Sequence, residues 1–427
     1  MISFHHPKQV NDKTVYTDKD RDLLRRLAAE QAEIAALPVQ REKAELWRRL
    51  NDLQPQRPMV WITEIPWHEM NVHDELTLRT STPWLQSIEG ELRRKLYQWR
   101  HMPVDMIIDD YIPCPRVIHS TGIGLSEDVD IRVTDQKSDI YSRRFHQQFS
   151  EPADVDKIKT PLVTYDMDAT EEQFHTMVQL FGDILPVRKI GLKGKWFAPW
   201  DELIRWWGVE QAMTDLIDRP ELVQAAISRL VDARLAELDQ WQTLGLLSRN
   251  DDNTRVGSGG YGYTHALPGN DFNPEKVQPT NMWGCATAQI FSNVSGRMHQ
   301  EFALQHEMRW LQRWGLTYYG CCEPLDGKME MLRTIPNLRK ISMSPAVQVE
   351  RAVQEVGRDY VFSRKPNPAS LAWDAWRPEL ACKDLQDFLQ IAAGCCVEII
   401  LKDISTVCYQ PQRLWEWAEN AMKLVEK

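Results

Sequence analysis

Apolar and polar positions along the chain follow two periods, one typical of helices and the other of strands. Between residues 18 and 53 apolar side chains recur at helical spacing among many charges, with Pro38 as an interruption. Residues 83–99 repeat this pattern behind Thr82, a candidate N-cap. The first region predicts an N-terminal helical extension over residues 1–57.

Short apolar runs, most of them followed by a helical pattern, predict buried parallel strands. Eight such runs cover residues 58–63, 104–108, 189–193, 245–248, 316–319, 338–343, 360–363 and 397–401. Strands and helices that alternate in this way predict an α/β fold, specifically a (β/α)8 TIM barrel over residues 58–427. Residues 112–187 form an insertion, in which 129–134 and 139–145 predict a β-hairpin.

Active sites of this architecture form where the strands end, so the polar residues directly behind the strands are the candidate site. They are Glu64, Asp109, Asp110, Lys193, Asn250, Asp252, Cys321, Cys322, Glu323, Ser344, Arg364, Lys365, Lys402 and Asp403. Because side chains alternate along a strand, we expect Tyr319, Cys321 and Glu323 on one side and Cys322 on the other. Cys395 and Cys396 precede the last strand, which favours a structural role for both.

A glycine-rich segment follows the fourth predicted strand. Its glycines at 257, 259, 260 and 262 match neither the dinucleotide-binding nor the P-loop spacing. The segment therefore predicts a mobile loop that faces a ligand rather than a phosphate cradle.

Composition excludes several classes of function. The net charge of −10 and the lack of a long basic run argue against a nucleic-acid partner. The N-terminus has no apolar signal core, and no run of about 18 apolar residues predicts a membrane span, so we expect a cytoplasmic protein. Eight cysteines in 427 residues are too few for a disulfide framework.

Four short stretches carry a family resemblance: residues 58–64, 107–112, 319–322 and 365–369. In this order they resemble the uroporphyrinogen decarboxylase superfamily, which also contains zinc-dependent corrinoid methyltransferases. The second stretch resembles a strand whose functional aspartate falls on Asp110. The third resembles the His-x-Cys-Gly strand end of the methyltransferases.

The decarboxylases carry an Arg-rich segment after the first strand, which binds the acidic side chains of a porphyrinogen. Here residues 64–67 read Glu-Ile-Pro-Trp, and an acid in that place would repel a polycarboxylate. Porphyrinogen decarboxylation is therefore not expected. The residues expected to bind another small substrate are Glu64, Trp67, Asn250, Asp252, Lys365 and Asp403.

The methyltransferases bind zinc through His and Cys of one strand end and a Cys after the last strand. Cys321 matches the first thiol and Cys408 is the thiol after the last strand, but Tyr319 stands in the place of the His. The resemblance implies zinc bound by the two thiols. The candidates for the remaining ligand are His265, Cys322 and Glu323. In a site without metal, Tyr319 supplies a phenolic hydrogen bond instead.

Three hypotheses follow. The first is a methyltransferase, with Asp110, Tyr319 and Lys402 as catalytic residues, that moves a methyl group between a small methylated compound and a thiol or a corrinoid carried by a partner protein. The second is a lyase acting on a small carboxylate, in which Asp110 handles the proton and Lys402 holds the carboxylate. The third is a non-catalytic barrel that binds a ligand. A homodimer is the expected assembly.

Overall fold

The computed structural model describes residues 16–133, 142–270 and 272–426. Its helices are α1 (Asp18–Ala35), α2 (Pro38–Asn51), α3 (Trp67–Met70), α4 (Pro83–His101), α5 (Met167–Phe181), α6 (Pro199–Trp207), α7 (Val209–Asp218), α8 (Pro220–Thr243), α9 (Gly296–His299), α10 (Gln305–Leu311), α11 (Met329–Leu332), α12 (Val349–Val356), α13 (Pro378–Ile391) and α14 (Gln412–Val425). Its strands are β1 (Met59–Ile62), β2 (Ile112–Pro115), β3 (Val117–Ser120), β4 (Val129–Arg132), β5 (Ser142–Phe145), β6 (Val163–Asp166), β7 (Val187–Ile190), β8 (Trp283–Ala286), β9 (Leu316–Tyr319), β10 (Leu338–Met343), β11 (Val361–Arg364) and β12 (Cys396–Leu401). No helix in the described ranges combines the length and the apolar character that crossing a membrane requires.

A six-stranded parallel sheet, in the order β1-β12-β11-β10-β9-β8, forms the centre of an α/β fold. Strands β8, β9, β11 and β12 are buried along their whole length, as expected where both faces of a parallel sheet are covered. One face carries Tyr318, Lys340, Ser363 and Glu398, and we call it the polar face. The other packs against helices, for example through Phe362 on Phe388 of α13.

The predicted N-terminal helices are present as α1 and α2, and α1 begins with a capping box in which Thr17 and Asp20 satisfy each other's backbone N–H groups. Helix α2 reaches the centre of the molecule. Its Trp47 is fully buried and donates a hydrogen bond to the carbonyl of Asp105 (2.9 Å). Its Asn51 donates to the carbonyls of Tyr261 and Tyr263 (2.8 and 2.7 Å). The extension is therefore packed into the fold rather than appended to it.

The strand predictions differ from the structure at three places, one of which is residues 245–248, where Leu247 forms only an isolated parallel bridge with Leu192. Residues 104–108 form no strand; Asp105 instead accepts from the Val60 amide (2.8 Å) and the Arg57 guanidinium (2.7 Å) through its buried carboxylate, and its own amide donates to the Val60 carbonyl (3.1 Å). Strand β8 was not predicted at all. Elsewhere β2 pairs in parallel with β7, and β3 pairs with β6 in the antiparallel sense.

The predicted hairpin is confirmed as the antiparallel pair β4 and β5. Its predicted connection, residues 135–138, lies outside the described residues.

The glycine-rich segment is buried against the polar face, so its prediction as a mobile, ligand-facing loop is wrong. A Cβ on Gly257 would lie 2.4 Å from the Tyr318 ring, and one on Gly259 would lie 2.4 Å from Glu398 Oε1. Ser258, between them, is 1% exposed and hydrogen-bonds the Tyr318 hydroxyl (2.9 Å). The glycines allow the backbone to approach the sheet more closely than any side chain would permit.

Candidate functional site

Polar side chains meet where β1, β9, β11 and β12 end, at what we call the carboxyl edge. The thiol cluster at this edge consists of Glu64, Cys321, Cys322, Lys402 and Asp403. Each member follows its strand by one to three residues. Because parallel strands end at the same edge, the backbone alone brings these residues to one side of the sheet.

The two thiols of the cluster lie side by side, which strand alternation did not predict. Strand β9 ends before Gly320, whose φ of +95° turns the chain and is open to glycine at little cost. Cys321 Sγ and Cys322 Sγ are therefore 3.5 Å apart, and Lys402 Nζ lies 3.7 and 3.8 Å from them. Cys322 Sγ also lies 3.4 Å from Asp403 Oδ2. Cys321 is buried and Cys322 is exposed.

The charges around the thiols favour a thiolate at Cys321. The hydrogen bond from Cys322 and the charge of Lys402 lower the pKa of Cys321, and together they outweigh the opposing effect of burial. The same hydrogen bond, with burial, raises the pKa of the Cys322 thiol. Burial alone would lower the pKa of Lys402, but the negative charges of Cys321 and Glu64 raise it. The charges of the cluster therefore favour the thiolate form of Cys321 beside the Lys402 ammonium.

Glu64 connects the cluster to a second cation. Its Oε1 accepts from Arg255 (2.8 Å), while Oε2 lies 3.4 Å from Lys402 Nζ and accepts from the Asp403 amide (3.1 Å). Although burial acts to raise the pKa of Glu64, the charges of Arg255 and Lys402 lower it. Glu64 and Asp403 both have a positive φ, 54° and 55°, a conformation that non-glycine residues seldom adopt.

Glu323, a predicted metal ligand, instead supports the turn that carries the thiols. Its carboxylate is fully buried and accepts from the Cys321 amide (2.8 Å), the Thr287 hydroxyl (2.8 Å) and the Ala288 amide (3.3 Å). A carboxylate with these donors fixes the backbone of Cys321 relative to β8. Glu323 is thus a positioning residue of the site.

Lys365 lies beneath the cluster on the polar face. Its ammonium contacts the Tyr318 hydroxyl and Ser363 Oγ, both at 2.6 Å, and Ser363 Oγ donates to Glu398 (2.6 Å). Burial lowers the pKa of Lys365 to about 7, although the charges of Glu398 and Cys321 oppose this. The residue predicted to bind substrate is therefore a buried amine that titrates near neutrality.

Tyr319 lies on the opposite face of the sheet from Lys365. Its hydroxyl donates to Glu307 (2.7 Å) and contacts His299 Nε2 (2.7 Å). All three side chains are fully buried. Because the chain turns at Gly320, Tyr319 and Cys321 do not share a side, and the structure does not bring Tyr319 to the cluster.

Asp110, a second predicted catalytic residue, lies away from the thiols. It precedes β2 and forms an exposed ion pair with Arg188 (3.3 Å), near the amino ends of β2 and β7. The lyase hypothesis requires Asp110 beside Lys402, which the structure does not provide. Asp109, its neighbour, pairs with Lys95 (3.2 Å).

Asn250 and Asp252, two further predicted residues, lie just after Leu247, whose backbone forms an isolated parallel bridge with Leu192. Asn250 binds the backbone of Lys193 and of Trp283 through hydrogen bonds of 2.9 Å. Asp252 forms an ion pair with the Lys193 side chain (2.6 Å). Asn250 thus joins β8 to the neighbouring chain segment, which is a structural role.

The other predicted residues also have partners outside the cluster. Trp67 packs edge-on against Tyr97. His265 is largely exposed and pairs with Asp52 of the segment after α2 (2.7 Å). Cys408 Sγ contacts the Ala372 carbonyl (3.5 Å).

These placements test the zinc site that the family resemblance implies. In the part of the chain that is described, no group of three or more His, Cys, Asp and Glu side chains is arranged to hold a metal ion. The donors that do meet are Cys321, Cys322 and Asp403, and the Lys402 ammonium contacts all three. An ammonium and a zinc ion cannot share these atoms, so the residues in this arrangement do not fit a three-ligand zinc site.

Arg255, Ser363 and Glu398 belong to the site but were not singled out in the sequence. The sequence does contain an indication of Glu398, because a charged residue inside an apolar strand is costly to bury unless it has a partner of opposite charge. Arg255 follows the six polar residues 249–254 and precedes the glycine-rich segment, and nothing in that pattern indicates its partner Glu64.

Comparisons of the chain with protein-family models and with curated proteins found no match. The function of the thiol cluster is therefore inferred from its own geometry and chemistry.

Proposed function

We propose that this chain is a methyltransferase of the uroporphyrinogen decarboxylase-like type, with the Cys321 thiolate as its reacting group. The observation that carries the proposal is the contact of Cys321 Sγ with Lys402 Nζ (3.7 Å) at the carboxyl edge. A thiolate is the nucleophilic form of cysteine, and a neighbouring cation maintains it at neutral pH.

In the proposed reaction Cys321 attacks the methyl carbon of a small sulfonium or quaternary ammonium compound. The new sulfur–carbon bond forms as the old bond to the donor heteroatom breaks, and the electron pair leaves with the neutral donor. With Cys321 as a thiolate, the three anions Cys321, Glu64 and Asp403 outnumber the two cations Lys402 and Arg255 at this edge, which favours a cationic substrate. No proton transfer is needed in this step.

The second step returns the enzyme to its starting state. A strong nucleophile, either cob(I)alamin on a partner corrinoid protein or a thiolate, attacks the methyl carbon on Cys321. The carbon–sulfur bond breaks and its electron pair stays on sulfur, where Lys402 stabilises the thiolate. The acceptor must approach from the exposed side, next to Cys322.

We also propose that the parallel sheet closes into a (β/α)8 barrel. Strands β9 and β12 are three strand spacings apart, which is about 14 Å in a flat sheet. The contact between the Lys402 and Cys321 side chains across the carboxyl edge supports curvature of the sheet. The parallel bridge from Leu192 to Leu247 and the hydrogen bonds of Asn250 to Trp283 support a continuation beyond β8.

A cytoplasmic location and a homodimer complete the proposal. The free thiols of all eight cysteines suit a reducing compartment. Light scattering of the purified protein measures its molar mass and so tests whether it is a dimer.

The test uses purified protein with trimethylsulfonium or tetramethylammonium as donor and cob(I)alamin as acceptor. We expect a methyl adduct on Cys321 by peptide mass spectrometry and methylcobalamin formation by absorbance. Cys321→Ser should abolish both, whereas Cys395→Ser, outside the site, should retain both. Absence of the adduct with every donor, or methylcobalamin formation that survives Cys321→Ser, contradicts the proposal. Zinc content is measured on the same samples.

A further inference from the structure

The adjacent thiols of the cluster have a second chemistry, independent of methyl transfer. We infer that Cys321 and Cys322 are a modification site at which a hydroperoxide closes a reversible disulfide between neighbouring residues. The inference draws on the proposed function only for its consequence, which is that closure removes the reacting group. Disulfide formation itself requires only the geometry of the two side chains.

The geometry favours the bond in two ways. The sulfur atoms are already 3.5 Å apart, since the turn at Gly320 places both thiols on the same side of the chain. Cys322 is exposed, so an oxidant in solvent reaches the pair. Lys402 contacts both sulfurs and supplies a proton to the leaving oxygen.

The reaction balances with the hydroperoxide as the only oxidant. The Cys321 thiolate attacks the terminal oxygen, the oxygen–oxygen bond breaks, and the alkoxide or hydroxide that leaves takes up a proton, which gives a sulfenic acid on Cys321. Cys322 then attacks the Cys321 sulfur, and hydroxide leaves and is protonated to water. The two thiols lose two electrons in total, and the hydroperoxide gains them.

The bond should also be easy to reduce. Neighbouring Cα atoms across a trans peptide are about 3.8 Å apart, below the usual range of about 4.4–6.8 Å for disulfides. Strained and exposed disulfides are the labile, regulatory ones. A dithiol therefore reopens the pair by exchange through Cys322, the accessible sulfur.

The chain contains its own control, the adjacent pair Cys395 and Cys396. Cys396 is the first residue of β12 and is buried, whereas Cys395 lies just before the strand. Burial raises the pKa of both thiols. Cys396 Sγ instead contacts the carbonyl of Gln54 (3.8 Å). This second pair has the same sequence spacing and lies near Arg358, but burial outweighs that charge at both thiols, and we expect the pair to stay reduced.

The experiment treats the full-length protein with hydrogen peroxide, blocks free thiols with N-ethylmaleimide under denaturing conditions, and analyses peptides by mass spectrometry. We expect the peptide with Cys321 and Cys322 to lose two hydrogens and stay unblocked, at least about tenfold faster than any change at Cys395 and Cys396. Dithiothreitol should restore both free thiols. In Cys322→Ser, dimedone should instead trap a sulfenic acid on Cys321.

The inference is overturned if both thiols are still free after peroxide treatment and therefore react with maleimide. It is also overturned if Cys321 is oxidised to sulfinic acid without a disulfide, or if Cys395 and Cys396 oxidise equally fast. Methyl transfer is measured in parallel. A disulfide that forms in a protein without methyl transfer sinks the proposed function alone, whereas methyl transfer without the disulfide sinks this inference alone.

Discussion

Tyr318 and Tyr319 are neighbours on one strand, yet their hydroxyls belong to separate buried networks on opposite faces of the sheet. Tyr318 contacts Lys365 (2.6 Å) on the polar face, and Tyr319 donates to Glu307 (2.7 Å) among the helices. Strand alternation produces this separation. The two networks therefore carry different consequences for function and for stability.

Tyr319→Phe should destabilise the protein by about 1–3 kcal/mol, because it leaves His299 and Glu307 buried without their shared partner. Chemical denaturation measures the loss, with Tyr360→Phe at a half-buried position as the matched control. Methyl transfer by the folded fraction should not change. A catalytic role for Tyr319 would instead appear as lost turnover in a stably folded variant.

The contribution of Glu307 and Asp201 to the stability of the fold should fall as the pH rises from about 5 to about 8. Burial, with the charges of Glu323 and Asp201, raises the pKa of Glu307 to about 8, more than the hydrogen bond from Tyr319 lowers it. Burial likewise raises the pKa of Asp201 to about 6. A carboxyl with a raised folded-state pKa binds more protons when folded, so stability is lost as the pH rises through that value.

Glu307→Gln, which has no charge to bury, tests this directly. The denaturation midpoint of the variant, taken relative to that of the wild type, should rise between about pH 5 and about pH 8, since the other titrating groups are common to both proteins. Equal changes in both proteins would refute the assignment to Glu307.

Gly259→Ala should destabilise the fold by about 1–3 kcal/mol or more, because its Cβ would lie 2.4 Å from Glu398 Oε1 and 2.6 Å from the Tyr318 ring. The matched control is Gly90→Ala within α4, where the nearest atom is 3.6 Å away. That change should instead stabilise the protein, by about 0.5–1 kcal/mol, since alanine favours helix. Similar effects of the two substitutions would refute the buried placement of the segment.

Glu398→Gln should cost about 3–5 kcal/mol, because it leaves the fully buried Lys340 ammonium without its counter-charge (2.9 Å). The control is Asp387→Asn, which removes the partner of Lys383 in an exposed pair (2.8 Å). Its cost should be below about 1 kcal/mol. Thermal denaturation of both variants compares them, and a cost for Glu398→Gln as small as that of the control would argue against the buried pair.

Much of the fold was predictable because its signals are local. Helix α4 begins behind Thr82, as its sequence indicated. Strands β1, β9 and β12 are short apolar runs with polar residues behind them, so Glu64, Cys321 and Lys402 were candidates before their contacts were known.

The remainder depends on tertiary contacts. Strand β8 is only four residues long and contains Gly284, which lies against the Trp314 ring. The segment at 104–108 has an apolar pattern but forms no strand, and the pairing of its Asp105 with Arg57 is a tertiary contact that the pattern does not reveal. The turn at Gly320 determines the directions of the Cys321 and Cys322 side chains. It depends on the positive φ of Gly320, which the alternation of side chains along a strand cannot predict.

The central claim is that Cys321 is a thiolate held by Lys402, and the pH dependence of its alkylation by iodoacetamide tests that claim most directly. Rates are resolved by peptide mass spectrometry, with Cys395 of the same protein as the reference thiol. We predict that the alkylation of Cys321 titrates below its ordinary pKa of 9.0 and that Lys402→Met moves it upward. Titration at or above that value, or no response to Lys402→Met, would contradict the account.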